Sequence, residues 1–229
     1  TSASAYNQKG ERYGVKSVWA NDIDEATCKT YARNIHNGDM AAVACGPVEK
    51  IDFTKVPKFD ALAFGFPCND FSIVGEQKGF GGKYGPLYIY GLKAIEIHNP
   101  KWFIAENVSG IQSANEGQAF KKILSDLENV GKGYKLTAHL YKFEQYGVPQ
   151  YRHRVVIIGI RKDLKLTFKV PAPTTVDKFI SVKDAFENPP ITKNASNNEA
   201  TKQSGVVVER LKYIPAGKNA WCDEIPPHL

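Results

Sequence analysis

Three stretches of this 229-residue chain bring together side-chain types that could do chemistry. Cys68 follows Pro67 at the end of the apolar run FDALAFGF. A cysteine there is a nucleophile only as its thiolate, and its plain alternative is a small buried hydrophobe. Glu106 follows a second apolar run, in KWFIAENVSGI, just past what reads as a strand. A carboxyl group enclosed in a dry pocket has a raised pKa and suits a proton donor near neutrality; the alternative is a surface carboxylate at a strand end. Arg152 and Arg154, with Gln150 ahead of them, alternate so that an extended segment turns both arginines to one face, or else they are two surface charges on a basic strand. An acidic pair, Asp22 and Asp24, closes a further strand, where Rossmann-type domains hold a ribose; helix-start charges would look the same.

The elements that must position these residues read as α/β. The run FDALAFGF is of the kind a parallel sheet buries on both faces, with Cys68 at its C-terminal end, where ligands of such sheets sit. VKSVWA (15 to 20) and MAAVACG read as earlier strands, and NDIDEATCKTYARNIH as a helix capped by Asn21 or Asp22. LYIYGLKAIEIHNP reads as a helix ended by Pro100, GQAFKKILSDLENV as an amphipathic helix, and GYKLTAHLYKF with HRVVIIGIRK as a late hairpin. The expected architecture is a Rossmann-like, doubly wound mixed sheet. Gly75, Gly79, Gly81, Gly82 and Gly85 punctuate a segment too long for an ordinary strand-to-helix turn, the kind that serves as a lid. The expected division is a catalytic domain over residues 1 to 190 and the start of a smaller region over 191 to 229.

Composition narrows the class. A hydrophobic content of 42% suits a substantial core, and a net charge of +6 permits a polyanionic partner without requiring one. The four cysteines form no CxxC pair and have no metal-ligand spacing with the five histidines, so they read as reduced thiols of a cytoplasmic protein without a metal. No apolar run has the length of a membrane span.

PCNDFS, ENV and QYGVPQYRHRVVIIGIR, in this order and joined by GEQKGFGG and NPKWFIAENV, resemble the motifs of the cytosine-5 DNA methyltransferases of bacterial restriction-modification systems. The resemblance runs from about Val15 to Arg161 and continues more weakly in VVVERLKYIPAGKNAW, which is similar to the entry to a target recognition region. It implies S-adenosyl-L-methionine as cofactor and a cytosine flipped out of duplex DNA as substrate. Cys68 is then the nucleophile at carbon 6, Glu106 the partner of N3, Arg154 the contact to O2, and Arg152 an organiser of the nucleophile and nearby phosphate. Asp22 corresponds to the ribose ligand and Ile23 to the residue packed on adenine, while Val48, Gly65, Pro67 and Leu87 correspond to further cofactor contacts. The segment from Asn69 to Pro86 corresponds to the loop that closes on DNA, with Ser72 and Lys78 as phosphate contacts, Gly81 and Gly82 as hinges, and Gln150 close to the DNA. The family's glycine-rich first motif would lie just upstream of residue 1, and its closing motifs are likewise not in the sequence. The implied protein is a monomer, partnered by double-stranded DNA and by a restriction endonuclease of the same specificity. Two rivals remain: a tRNA methyltransferase of the same family, and a catalytically silent DNA-binding relative.

Overall fold

The structure, a computed structural model, describes residues 3–6, 9–67, 87–199 and 201–229. Its backbone divides into two compact units, Thr1–Ile180 and Ser181–Leu229.

The centre of the first unit is a four-stranded mixed sheet. β5 (Ala61–Gly65) and β6 (Trp102–Val108) run parallel, and β7 (Tyr134–Lys142) and β8 (His153–Arg161) form the expected antiparallel hairpin, in the spatial order β5-β6-β8-β7. The period-two alternation is explicit in β6, where Phe103, Ala105 and Asn107 face inward, and in β8, where Val155, Ile157 and Gly159 do. Phe103 pairs in register with Gly159, and a Cβ at position 159 would collide with the Phe103 ring, so glycine there makes room for the aromatic core.

Two helices cover this sheet. α2 (Tyr88–His98) ends at Asn99, which takes the left-handed conformation (φ 46°) just before Pro100, so that the helix stops where the sequence reading places its end. α3 (Gln118–Asn129) buries Ile123 and Leu127 completely, one turn apart on one stripe. They meet Tyr88, Ile95, Phe103 and Tyr134 in the largest core cluster. The Tyr88 hydroxyl donates to Asp126 Oδ2 at 2.7 Å, tying α2 to α3, and burial with that carboxylate pushes the phenol pKa well up.

The other elements of this unit are shorter than the sequence suggests. β1 (Ala3–Tyr6) and β2 (Arg12–Val15) form a hairpin, and the expected strand over 15 to 20 is reduced to β3 (Ala20–Asp22), parallel to β4 (Val43–Cys45). Met40–Ala42, expected as strand, is a 3-10 turn capped by Asp39. α1 spans Glu25–Ile35 and is capped by Asp24, whose Oδ2 accepts from Thr27 N at 2.6 Å, not by Asn21 or Asp22. The reason is tertiary: Asn21 and Asp22 are held extended in β3, and the Asn21 amide donates to the carbonyls of Ala44 (2.8 Å) and Gly46 (2.9 Å). A cluster of Phe53, Val56 and Ala94, joined by Trp19, Val48 and Leu62, packs the approaches to β3 and the turns after β4 onto β5 and α2.

The second unit holds α4 (Val182–Glu187), closed at its N-terminus by a capping box between Ser181 and Asp184, and α5 (Gly205–Leu211), capped by Ser204.

Candidate active site

Glu106 and Arg154 meet across the β6/β8 seam. The register sets Val108 opposite Arg154 and Glu106 opposite Val156, and the side chains close an ion pair of 2.8 Å between Glu106 Oε1 and Arg154 Nε. Arg154 is further fixed by Nη1, which donates to the His153 carbonyl at 2.8 Å. Two expectations need correcting. Glu106 lies within β6, not past its end, because its backbone pairs with both Gly65 and Val156. Nor is its carboxyl enclosed: the side chain is 41% exposed and held by the guanidinium, whose own side chain is 21% exposed. On its other flank lies the C-terminal end of β5, where Gly65 is the parallel register partner of Glu106.

Asn107 was not singled out in the sequence, although it stands inside ENV. It is 3% exposed, its Nδ2 donates to the Phe66 carbonyl at 3.0 Å, and its Oδ1 accepts from Val108 N at 2.7 Å. This side chain therefore ties β6 to the peptide two residues ahead of Cys68. The alternation contained the signal, since a polar residue shares the inward parity of Phe103 and Ala105. Cys68, Ser72, Lys78, Gly81 and Gly82 lie outside the described residues; Pro67, the residue before Cys68, is exposed.

The approach to β8 is a tight construction. Phe143–Tyr146 forms a 3-10 turn, Phe143 N donates to the Arg152 carbonyl at 3.0 Å, and Val148 N returns to the Phe143 carbonyl at 3.3 Å. Arg152 precedes β8, which begins at His153, and is exposed, as is Gln150. Of the two arginines, Arg154 is the one the strand presents to Glu106.

The candidate cofactor residues fall into two groups on different sheets. Asp22 and Ile23 stand at the end of β3; Ile23 is 73% exposed, and the Asp22 carboxylate is exposed while accepting from Asp24 N at 2.9 Å. Val48 sits in the turn after β4 and packs on the Phe53 cluster. Gly65 and Pro67 are exposed at the end of β5, and half-buried Leu87 occupies the position before α2.

A model of the family described as C-5 cytosine-specific DNA methylase matches residues 4–225. The chain belongs to that family. It is 51% identical over 227 residues to the Type II methyltransferase M.BbvI of Brevibacillus brevis, covering 97% of this chain and 60% of the relative. It is 38% identical over 215 residues to M.NgoFVII of Neisseria gonorrhoeae, covering 90% of this chain and 55% of that protein. The chain thus spans somewhat more than half the length of these methylases. Two solved structures share the α/β fold: a putative DNA modification methyltransferase encoded within an Escherichia coli prophage (TM-score 0.56, 24% identity, 73% of this chain and 47% of that one), and the Entamoeba histolytica methyltransferase EhMeth (TM-score 0.55, 16% identity, 86% and 58%). Among the described residues, Glu106 and Arg154 are candidates brought into direct side-chain contact, and Gly65 is aligned beside them.

Proposed function

We propose that this chain carries out DNA cytosine-5 methylation. The observation that carries the reading is the 2.8 Å pair of Glu106 and Arg154 beside Gly65, with Asn107 anchoring the peptide that leads into Cys68. Cytosine carbon 5 is a poor nucleophile until the ring gains electron density. Addition of the Cys68 thiolate to carbon 6 supplies that density and places negative charge at N3. Glu106 bonds or protonates N3, and Arg154, which orients Glu106, is within the same cluster to meet the O2 carbonyl. S-adenosyl-L-methionine, when bound, supplies the electrophilic sulfonium methyl that carbon 5 takes up. Loss of the carbon 5 proton and expulsion of Cys68 then restore the ring.

The residue types at the ends of β3 and β5 fit that cofactor. The exposed Asp22 carboxylate suits a pair of ribose hydroxyls, and the exposed Ile23 side chain beside it offers an apolar platform for a purine. Exposed Gly65 and Pro67 present little side-chain bulk at the end of β5. Ser72, Lys78 and Gln150 are the proposed DNA contacts, and a base inside the stack must be flipped out before Cys68 can reach carbon 6. The relatives named as Type II methyltransferases support DNA as the substrate; a cytoplasmic monomer acting on duplex DNA, partnered by an endonuclease of the same specificity, completes the proposal. Residues 1 to 190 are the proposed catalytic domain, and 191 to 229 the start of the region that reads the target.

Duplex DNA containing 5-fluorocytosine tests the chemistry, because fluorine at carbon 5 blocks the final elimination. With S-adenosyl-L-methionine present, the wild type forms a covalent adduct resolved by denaturing gel and mass spectrometry, and Cys68→Ser forms none. An adduct that persists in the serine variant sinks the mechanism.

A further inference from the structure

Glu144 is a buried carboxylate that no step above uses. It is 7% exposed in the 3-10 turn ahead of β8, and its Oε1 meets His153 Nε2 at 2.8 Å, while Oε2 is buried with no hydrogen-bond partner among the described residues. Burial pushes its pKa up, but its own backbone N–H, the His153 ring and the Arg152 N–H together outweigh burial and hold it below the ordinary value. The turn that carries it is fastened in turn. Thr175 Oγ1 donates to the Glu144 carbonyl at 2.8 Å and accepts from Gly147 N at 2.9 Å, and the N–H groups of Thr174 and Thr175 close on the Gln145 carbonyl.

This assembly grips the two arginines through the residue between them. His153 is held by Glu144 at its ring and by Arg154 Nη1 at its carbonyl, and Arg152 is held at its carbonyl by Phe143 N. His153 shares its parity on β8 with buried Val155 and Ile157, so the grip comes from the opposite face to the arginines. Stability alone does not require an ion pair here, since a buried pair replaced as a whole by apolar residues of similar volume is often as good for the fold, whereas removing one partner leaves the other stranded.

We propose that Glu144 is a positioning residue for the arginines: by anchoring His153 it fixes the entry of β8 and so the line along which Arg154 reaches Glu106 and the substrate. The consequence for methyl transfer rests on the function proposed above; the anchoring itself does not.

The test compares Glu144→Leu with Glu144→Gln, which keeps an acceptor oxygen for the His153 ring, in the intact enzyme. The leucine variant leaves the His153 ring without its partner and is expected to unfold at a lower midpoint, yet, assayed where it is fully folded, to keep its affinity for S-adenosyl-L-methionine while kcat falls by about 10- to 100-fold, the scale of loss from an ångström-sized misplacement. The glutamine variant stays within about threefold of wild type, as a retained hydrogen bond should allow. A folded leucine variant with wild-type kcat, or a glutamine variant as slow as the leucine one, overturns the proposal. Imidazole NMR supplies a readout independent of turnover. A solvent-protected His153 Nε2 proton is expected in the wild type and in Glu144→Gln but not in Glu144→Leu, and its absence from wild type or persistence in the leucine variant refutes the anchoring. Were the wild type to form no adduct and transfer no methyl group, the methylation reading would fall, and this NMR comparison would still decide the role of Glu144.

Discussion

The ends of the two parallel strand pairs treat their exposed acids in opposite ways. At the end of β5 and β6, side chains are fixed by other side chains and by backbone: Glu106 by Arg154, Phe66 by Asn107, and the entry of β8 by Glu144. At the end of β3 and β4 the backbone is fixed while the side chains stay open. Gly46 N donates to the Asp22 carbonyl at 2.9 Å and Asn21 holds β4, yet the Asp22 carboxylate and Ile23 face solvent. Groups that must meet developing charge gain from being oriented before the reaction begins, whereas groups that capture a diffusing ligand must be accessible. Under the proposed function, the contrast suits the Glu106–Arg154 pair to the chemistry and Asp22 with Ile23 to ligand capture.

Glu106→Gln is the strongest way to break that assignment. It keeps the size of the side chain but removes the charge that Arg154 faces and, in the proposed mechanism, the acid that serves N3. Methyl transfer is expected to fall by about 10²- to 10⁴-fold, the range for losing a general acid, with cofactor affinity within about threefold. A collapse of cofactor binding, read by calorimetry, would mean that the two ends are not separate in function. Asp22→Ala should do the reverse. Removing a charged hydrogen-bonding partner costs about 1.5–3 kcal/mol, so S-adenosyl-L-methionine is expected to bind about 10- to 100-fold more weakly. Its kcat at saturating cofactor should stay close to wild type, and a kcat loss as large as that of Glu106→Gln would erase the distinction.

The sequence made the first end more legible than the second. Alternation exposes β6 and β8 because their inward residues are large and apolar, and the hairpin follows from two such runs around a turn containing Gly147 and Pro149. In NDID, by contrast, several residues qualify equally as a helix cap. Only the pairing of Asn21 with Ala44 and Gly46, some two dozen residues away in sequence, passes the role to Asp24. Glu106 is in the strand for the same kind of reason, being flanked on both sides by backbone that the local sequence does not reveal. Asn107 was readable as a polar residue at an inward position; Glu144 was not, because EQYGVPQYRH reads as an ordinary polar turn until the hairpin brings its glutamate onto its histidine.

Asn107 extends the comparison to stability. Asn107→Leu keeps the branched skeleton but strands the Phe66 carbonyl, and leaving a buried polar group unpaired costs about 1–3 kcal/mol by denaturant unfolding. Asp22→Ala, at an exposed carboxylate, is expected to cost about 0.5 kcal/mol or less. Equal costs would mean that the β3 end is as tightly built as the β6 end.

Acid sharpens the same contrast on a smaller scale. Glu144 has a folded pKa below its ordinary 4.5, so its charged form contributes stability that is fully present above about pH 4.5 and lost as pH falls through the lower folded value. Asp24, on the β3 side, is also held below its ordinary 3.8 by the Thr27 N–H and hydroxyl, but it caps α1 in solvent. Salt at about 1 M shortens the screening length to about 3 Å, which weakens exposed charges far more than a buried carboxylate against a histidine ring. The stability difference between wild type and Glu144→Gln should therefore shift against the wild type as pH drops below about 4.5, by a similar amount in low and high salt. The corresponding difference for Asp24→Asn should appear at lower pH. Urea unfolding midpoints taken across this range decide the matter: a Glu144→Gln difference that does not change with pH would show that folding leaves the carboxylate pKa unshifted, and a difference that moves in favour of the wild type as pH falls would show that the fold holds a neutral acid against His153.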